Sequence, residues 1–568
     1  MANQFESIAM ETYARRSLNY LENMVDKNSL PYFNIFWDDP SEAAHDWPDF
    51  GDVMSRQLQG AIMSRLMTGL EASTEKIWLN KILSMIDPKT GLLTRPETNY
   101  SKRVAVPGDN SLTLYSLVTV YADSKDEQIR QIIYKMVDGL MAMTDKEGIP
   151  GGFLGGFAIK SLMACARTLN YEPALILSKR IVDTIFYSTP YFPPDNTFRH
   201  GGHMHGNLRS LVGAADYALY TNDPITYSRV DALYRYVKTE ATSFGFLPEV
   251  IGRKGDIVPC ETCAIMDYLG LAITLANHGH PEYWSNVERI ARNHLIESQV
   301  TNGSWLVSDS SKPDTDQFTW QSIGERMIGG YAGWSSPNHI LAARETLNAH
   351  WGGPELRDKT RAFQNCCGGS GNHAFFEVWK NSTRFERGCL SINLHLDKSL
   401  PQAEIRGYQP YCGLLTIKLK ETCELKVRIP EFIRSFDIKA TVNGNNIDGK
   451  VWGNFFELGT QKSGDEIRIT YPIPISTEII TIGNPGFRQY KYQVTWKGDT
   501  VIRMESLDNE YLTGYSDFDN KQVPIYYGNE GPGKLYVREN YLEDKEPMQI
   551  KPTPLQVDNG VLDFWYFN

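Results

Sequence analysis

Along most of the chain, apolar residues recur at spacings of three and four. Clear cases are SRQLQGAIMSRLMTGL (55–70), EKIWLNKILSMI (75–86), IRQIIYKMVDGLMAM (129–143) and GFAIKSLMACARTL (156–169). NLRSLVGAADYALYT (207–221), ITYSRVDALYRYVKTEA (225–241) and CAIMDYLGLAITLAN (263–277) continue the pattern. Each segment hides one face, which predicts amphipathic helices. Gly, Pro, Asp and Asn fill the connections. About a dozen helices in antiparallel pairs predict a closed α/α toroid over residues 1–385, a fold that gathers functional residues on the loops at one end. No strict sequence period is visible, which disfavours a solenoid.

Near residue 385 the period shortens to two. CLSINLHL, LLTIKLK, ELKVRIP, KATVNG, EIRITYPI and YQVTWKGDTVIRME alternate apolar and polar side chains, with NGNN and KSGDE as turns between them. This predicts a β-sandwich over 386–480 and a further β-rich domain over 481–568. GNEGPGKLYVRENYLEDKEPMQIKPTPLQ, rich in Pro and charge, is expected to wrap a surface.

Composition narrows the function classes. The 568 residues include 41% apolar and 22% charged positions, an ordinary globular balance. Thirty Tyr and 12 Trp are many; flat rings serve sugar clefts, but large β-rich cores use them too. A net charge of −11 without a basic run makes the chain a poor candidate for nucleic-acid binding. No apolar run approaches the ~20 residues of a membrane span. The opening MANQFESIAMETYARRSLNY lacks the apolar core of a secretory signal, as expected of a cytoplasmic chain; a trimmed leader would mean the periplasm or secretion. Eight cysteines are too few for a disulfide scaffold of this length, yet Cys260/Cys263 and Cys366/Cys367 form tight pairs.

The chemistry concentrates in PCETCAIMDYLG (259–270) and FQNCCGGSGNHAFFEVWKN (363–381). Glu261 and Cys263, two apart at a loop-to-helix junction, point to the same side and can meet one ion. Cys366 and Cys367 are adjacent and share an ion only if the backbone kinks, which Gly368-Gly369-Ser370-Gly371 would permit. A helix is then expected from about Asn372, its first amides favouring a thiolate. Three thiolates and a carboxylate suit tetrahedral Zn²⁺. Inert buried cysteines, or a vicinal disulfide at 366–367, are the alternatives.

Other polar loops surround these motifs. Glu249, in FLPEVIG, is a candidate general acid/base or a solvated loop carboxylate. His200, His203 and His205, in FRHGGHMHGNLRS, are candidates for substrate contact; HxH also binds metals, and helix capping is the plain reading. HDWPDFGDVMSR (45–56) sets Asp46, Asp49, Asp52 and Trp47 before a helix, where Trp47 and Asp49 suit sugar binding and the aspartates suit capping. GERMIGGYAGWSSPNH (324–339) is a Gly/aromatic loop of the kind that lines clefts.

The ETC motif at 261–263, with CC at 366–367 opening a helix, resembles the β-L-arabinofuranosidase family of zinc-dependent glycoside hydrolases. GCLSINLHL, VRIPEF, TVNGN and SGDEIRITYPIP follow in that family's order, so the resemblance spans roughly 40–480. It implies an (α/α)6 barrel followed by β-sandwich modules. It also implies that Glu261, Cys263, Cys366 and Cys367 ligate zinc, that Cys366 is the nucleophile of a retaining double displacement, and that Glu249 is the acid/base. Glu249 stands at an unusual spacing from ETC. GGSGNH replaces the prolines that often follow the Cys pair, and HGGHMHGN departs from the usual histidine loop. These loops, His373 among them, are expected to contact the sugar, which leaves a different furanose or an acidic sugar open. Two rivals share the fold: a carbohydrate-binding protein with structural zinc, and a polysaccharide lyase using His203 or a Tyr.

Overall fold

The computed structural model describes residues 8–36, 40–149, 153–189, 191–198, 202–248, 250–251, 260–304, 306–331, 362–482, 490–507, 513–516, 521–524 and 535–537. Helices dominate up to Asn381. They are α1 (Met10–Asn23), α2 (Met54–Thr68), α3 (Thr74–Met85), α4 (Pro107–Ser124), α5 (Glu127–Glu147), α6 (Phe153–Leu169) and α7 (Glu172–Asp183). They continue with α8 (Met204–Thr221), α9 (Pro224–Glu240), α10 (Thr262–Asn277), α11 (Trp284–Ile290), α12 (Ile323–Met327) and α13 (Cys366–Asn381).

Two kinds of helix are distinguished by burial. On α5, Ile129, Ile133, Met136, Val137 and Leu140 make one buried stripe. On α10, residues 262–273 are buried all round, which marks an inner helix covered on every side. The inner helices pack in sequence: α2 on α4, α4 on α6, α6 on α8, α8 on α10, α10 on α13, and α13 on α2. Their apolar side chains form one continuous core.

Glycines set the closest approaches. A Cβ on Gly369 of α13 would overlap the backbone carbonyl of Arg56 on α2, and one on Gly371 would overlap the ring of Tyr331. The GGSG run therefore lies inside a helix that starts at Cys366, and not in a kinked loop ahead of a helix from Asn372. Its glycines serve helix–helix contact, and tertiary packing overrides their poor helix propensity.

A small antiparallel sheet interrupts the helical part. It pairs Asn34–Phe36 with both Glu42–Ala44 and Ala362–Gln364, and Glu42–Ala44 with Phe318–Thr319. Its last strand delivers the chain to the start of α13.

Strands take over from Thr383. One sheet includes Ala403–Gly407, Leu414–Leu419, Lys439–Val442 and Glu466–Thr470; the facing sheet includes Thr383–Glu386, Cys389–Ile392, Cys423–Arg428 and Phe455–Gln461. Ile405, Ile417, Leu425, Val427, Ile467 and Ile469 form their shared core. A third sheet pairs Ile475–Ile482 with Tyr490–Lys497 and the latter with Thr500–Ser506. The strand Ile475–Ile482 runs across the expected division at 480/481.

Helical part and sandwich are joined by buried charge. Glu288 of α11 pairs with Arg292 at 2.7 Å and with Arg428 of the strand Cys423–Arg428. Arg292 also donates to the carbonyl of His395 at 2.6 Å.

Candidate metal centre

Four inner helices bring their first residues to one place. Glu261 immediately precedes α10 and Cys263 lies in its first turn; Cys366 and Cys367 are the first two residues of α13. Successive residues of a helix normally diverge, but at its N-terminus both can face an ion set on the axis, so no kink is required. Arg56 lies in the first turn of α2, and His203 immediately precedes α8.

The ligand atoms of Glu261, Cys263, Cys366 and Cys367 all lie within 4.8 Å of one another. Cys263 Sγ and Cys367 Sγ are 3.2 Å apart, and Cys366 Sγ is 3.7 Å from Glu261 Oε1. Donors at ~2.0–2.3 Å from a tetrahedral ion are separated by roughly 3.3–3.8 Å. The Cys366–Glu261 pair falls in that range, the Cys263–Cys367 pair is slightly closer and the widest pair lies up to 4.8 Å apart, so the group could hold a metal ion after small side-chain adjustments. The cysteines are free thiols, which removes the vicinal disulfide; Cys263 and Cys367 are buried and Cys366 half-buried.

The surroundings favour negative charge. The Cys263 amide donates to Cys367 Sγ at 3.3 Å. Arg56 Nη1 lies 3.7 Å from Cys263 Sγ and donates to Ser370 Oγ at 3.1 Å, while its Nε is paired with Asp52. Burial opposes charge on Cys263, but Cys366, Cys367 and Arg56 outweigh it and hold that thiol well below the ordinary range. Cys366 is pushed up by its hydrogen bond with Cys263, and Cys367 by burial and by Cys263.

The histidines divide. His203 Nε2 contacts Glu261 Oε2 at 3.0 Å. His205 Nδ1 contacts Asp267 Oδ2 at 2.7 Å, and Lys160 lies 3.5 Å from Asp267 Oδ1. The Nε2 of His205 is buried with no hydrogen-bond partner among the described residues. His373 is 1% exposed, with Nε2 3.2 Å from Glu377 and its ring stacked on Tyr115. Burial pulls its imidazole down to about 4. Glu249 and His200 lie outside the described residues.

The acidic loop is built into the fold as well. Asp49 is fully buried, its Oδ2 2.7 Å from His45 Nδ1 and accepting from the Asp46 amide. Burial pushes Asp49 up to about 6 and Asp46 to about 7. Trp47 carries the guanidinium of Arg95 over its ring at 3.8 Å. The contacts of Arg56, Ser370 and Asp267 escaped the sequence reading. Only the Asp52/Arg56 spacing of four and the quoted motifs themselves hinted at them.

No family model and no curated relative matches the chain. Among solved structures, a GH127 β-arabinofuranosidase superposes with a TM-score of 0.57 at 15% identity, covering 93% of both chains. A GH127 β-L-arabinofuranosidase from Geobacillus stearothermophilus T6 does so with 0.56 at 14% identity, again covering 93% of each. A structure described as a glycoside hydrolase gives 0.60 at 11% identity, over 96% of this chain and 94% of that one. What the chain shares with these proteins is the fold, over nearly its whole length.

Proposed function

We propose that the chain is a retaining glycoside hydrolase whose nucleophile is a zinc-bound cysteine, acting on a terminal furanose such as β-L-arabinofuranose. The observation that carries this is the convergence of Glu261, Cys263, Cys366 and Cys367 at one end of the inner helices, on a fold shared with GH127 β-arabinofuranosidases. The packing order from α2 through α13 and back to α2 supports a closed (α/α)6 barrel. Three domains, helical, β-sandwich and β-rich, expected at 1–385, 386–480 and 481–568, are part of the same proposal, with the boundaries moved before the strands Thr383–Glu386 and Ile475–Ile482 that would otherwise be cut.

Zinc held by the four residues would keep their thiols deprotonated at neutral pH and stabilise the sulfur as a leaving group. Cys366, the most exposed of the three thiols, attacks the anomeric carbon. The bond to the leaving oxygen breaks and a thioglycosyl enzyme forms. Glu249 protonates that oxygen and then takes a proton from the incoming water, which attacks the same carbon and releases Cys366. His203 steadies Glu261, and Arg56 offsets part of the negative charge at the cluster. The substrate is a carbohydrate; no described helix is long and apolar enough to cross a membrane.

A screen of aryl furanosides and pyranosides with the zinc-loaded chain tests the reading. At least one furanoside should be hydrolysed, and Glu249→Gln should abolish turnover while keeping the zinc. Zinc binding without hydrolysis of any glycoside would favour the carbohydrate-binding rival, and an ultraviolet-absorbing unsaturated product would favour the lyase.

A further inference from the structure

A cavity of 490 Å³ lies on loops that precede α2 and α4, and none of the four candidate ligands lines it. One wall is a ladder of nearly parallel rings. Tyr32 stacks on His45 with centroids 4.1 Å apart, His45 on Tyr100 at 5.6 Å, and Tyr100 on Phe50 at 5.9 Å. Tyr100 is the half-buried member, while Tyr32, His45 and Phe50 are buried behind it. His45 is held by Asp49, so the ladder is fixed before any ligand arrives.

The remaining wall is polar and of mixed sign. Asp314 and Asp316 stand exposed on one side, and Asp26, 3.8 Å from His45 Nε2, lines the space together with Lys27 and Lys81. Two lysines disfavour a cation, and the aspartates disfavour an anion. Mixed donors and acceptors around an aromatic wall suit a neutral ligand with many hydroxyls and an apolar C–H face, which describes a sugar ring.

The cavity and the cluster share a scaffold. The Tyr32 carbonyl accepts from the side-chain amide of Asn365 at 2.8 Å, and the Asn365 amide donates to the Phe33 carbonyl at 2.7 Å. Asn365 immediately precedes Cys366. On α2, Met54 lines the cavity two residues before Arg56, which reaches Cys263. The two places are thus tied to one loop and one helix.

We propose that this cavity is a second sugar site, binding a neutral unit of the glycan on the leaving-group side of the bond cut at Cys366. The proposal rests on the glycosidase reading for that direction, but the binding itself does not. Saturation-transfer NMR and titration would use the full zinc-loaded chain carrying Cys366→Ser. The probe is a pool of neutral arabino-, xylo-, galacto- and gluco-oligosaccharides, with galacturonate oligosaccharides and choline as charged controls. A neutral oligosaccharide should bind, and Tyr100→Ala should weaken it at least 10-fold. Asp314→Ala/Asp316→Ala, on exposed positions that do not threaten folding, should weaken it too. Unchanged binding in both variants, no binding of any neutral oligosaccharide, or binding of a charged control alone overturns the proposal. If the unmodified chain hydrolyses glycosides while Tyr100→Ala binds normally, the second site fails and the glycosidase reading stands. If Tyr100→Ala loses binding and the unmodified chain hydrolyses nothing, the second site stands and the glycosidase reading fails.

Discussion

His203 Nε2 meets Glu261 Oε2 at 3.0 Å, while the other oxygen, Oε1, is the one that faces Cys366 Sγ at 3.7 Å. The imidazole thus ties one carboxylate oxygen and leaves its twin directed at the cluster. Partners of this kind orient a ligand and typically account for 10–100-fold in metal affinity. His203→Ala should therefore lower zinc affinity by about 10–100-fold in a chelator competition with the fold intact. An unchanged affinity would mean that Glu261 is oriented by other groups.

Two glycines of inner helices should respond in opposite directions. Gly369→Ala drives a methyl into the Arg56 backbone carbonyl, a rigid neighbour that carries the guanidinium to Cys263. A loss of about 3 kcal/mol is expected, with metal retention impaired. Gly270→Ala, on α10, meets only Val212 Cγ2 at 4.0 Å. It should be neutral or stabilise by up to about 1 kcal/mol through helix propensity. Denaturant unfolding of the two variants makes the comparison.

These glycines also show where the sequence was legible. The apolar period of α2, α5, α8 and α10 located those helices to within a few residues, because each has a face or a whole surface to bury. The motifs EtC and CC located Glu261, Cys263, Cys366 and Cys367, since thiol and carboxylate chemistry is intrinsic to the residue. The Gly368–Gly371 run was misread as a kink because its role depends on Arg56 and Tyr331, far away in sequence. Asn34–Phe36 and Ala362–Gln364 are too short to show a period. The contact of Arg56 with Cys263 joins residues 207 positions apart and has no local signature.

Glu288 clamps the helical part to the sandwich. Burial alone would raise its carboxyl, but Arg292 and Arg428 overcome it and hold the group at about 2. A depressed folded pKa gives stability that is present above the unfolded value of ~4.3 and is lost as pH falls towards 2. Glu288→Gln should cost about 3 kcal/mol at pH 7. The difference from the parent should shrink below about pH 4, as the unfolded parent takes up at Glu288 a proton that the folded protein does not bind until about pH 2. Thermal unfolding of both proteins from pH 7 down to pH 3 checks the slope, and a gap that stays constant would contradict this assignment.

The most direct test of the central claim is proton NMR of the first sugar anomer released by the zinc-loaded chain from an aryl furanoside, run beside Cys366→Ser. Attack by a cysteine followed by attack by water inverts the anomeric carbon twice. The account predicts that the first-formed sugar keeps the substrate's anomeric configuration, and that Cys366→Ser loses at least about 10³-fold in rate. An inverted first product, or a Cys366→Ser variant of near-normal rate, would contradict it.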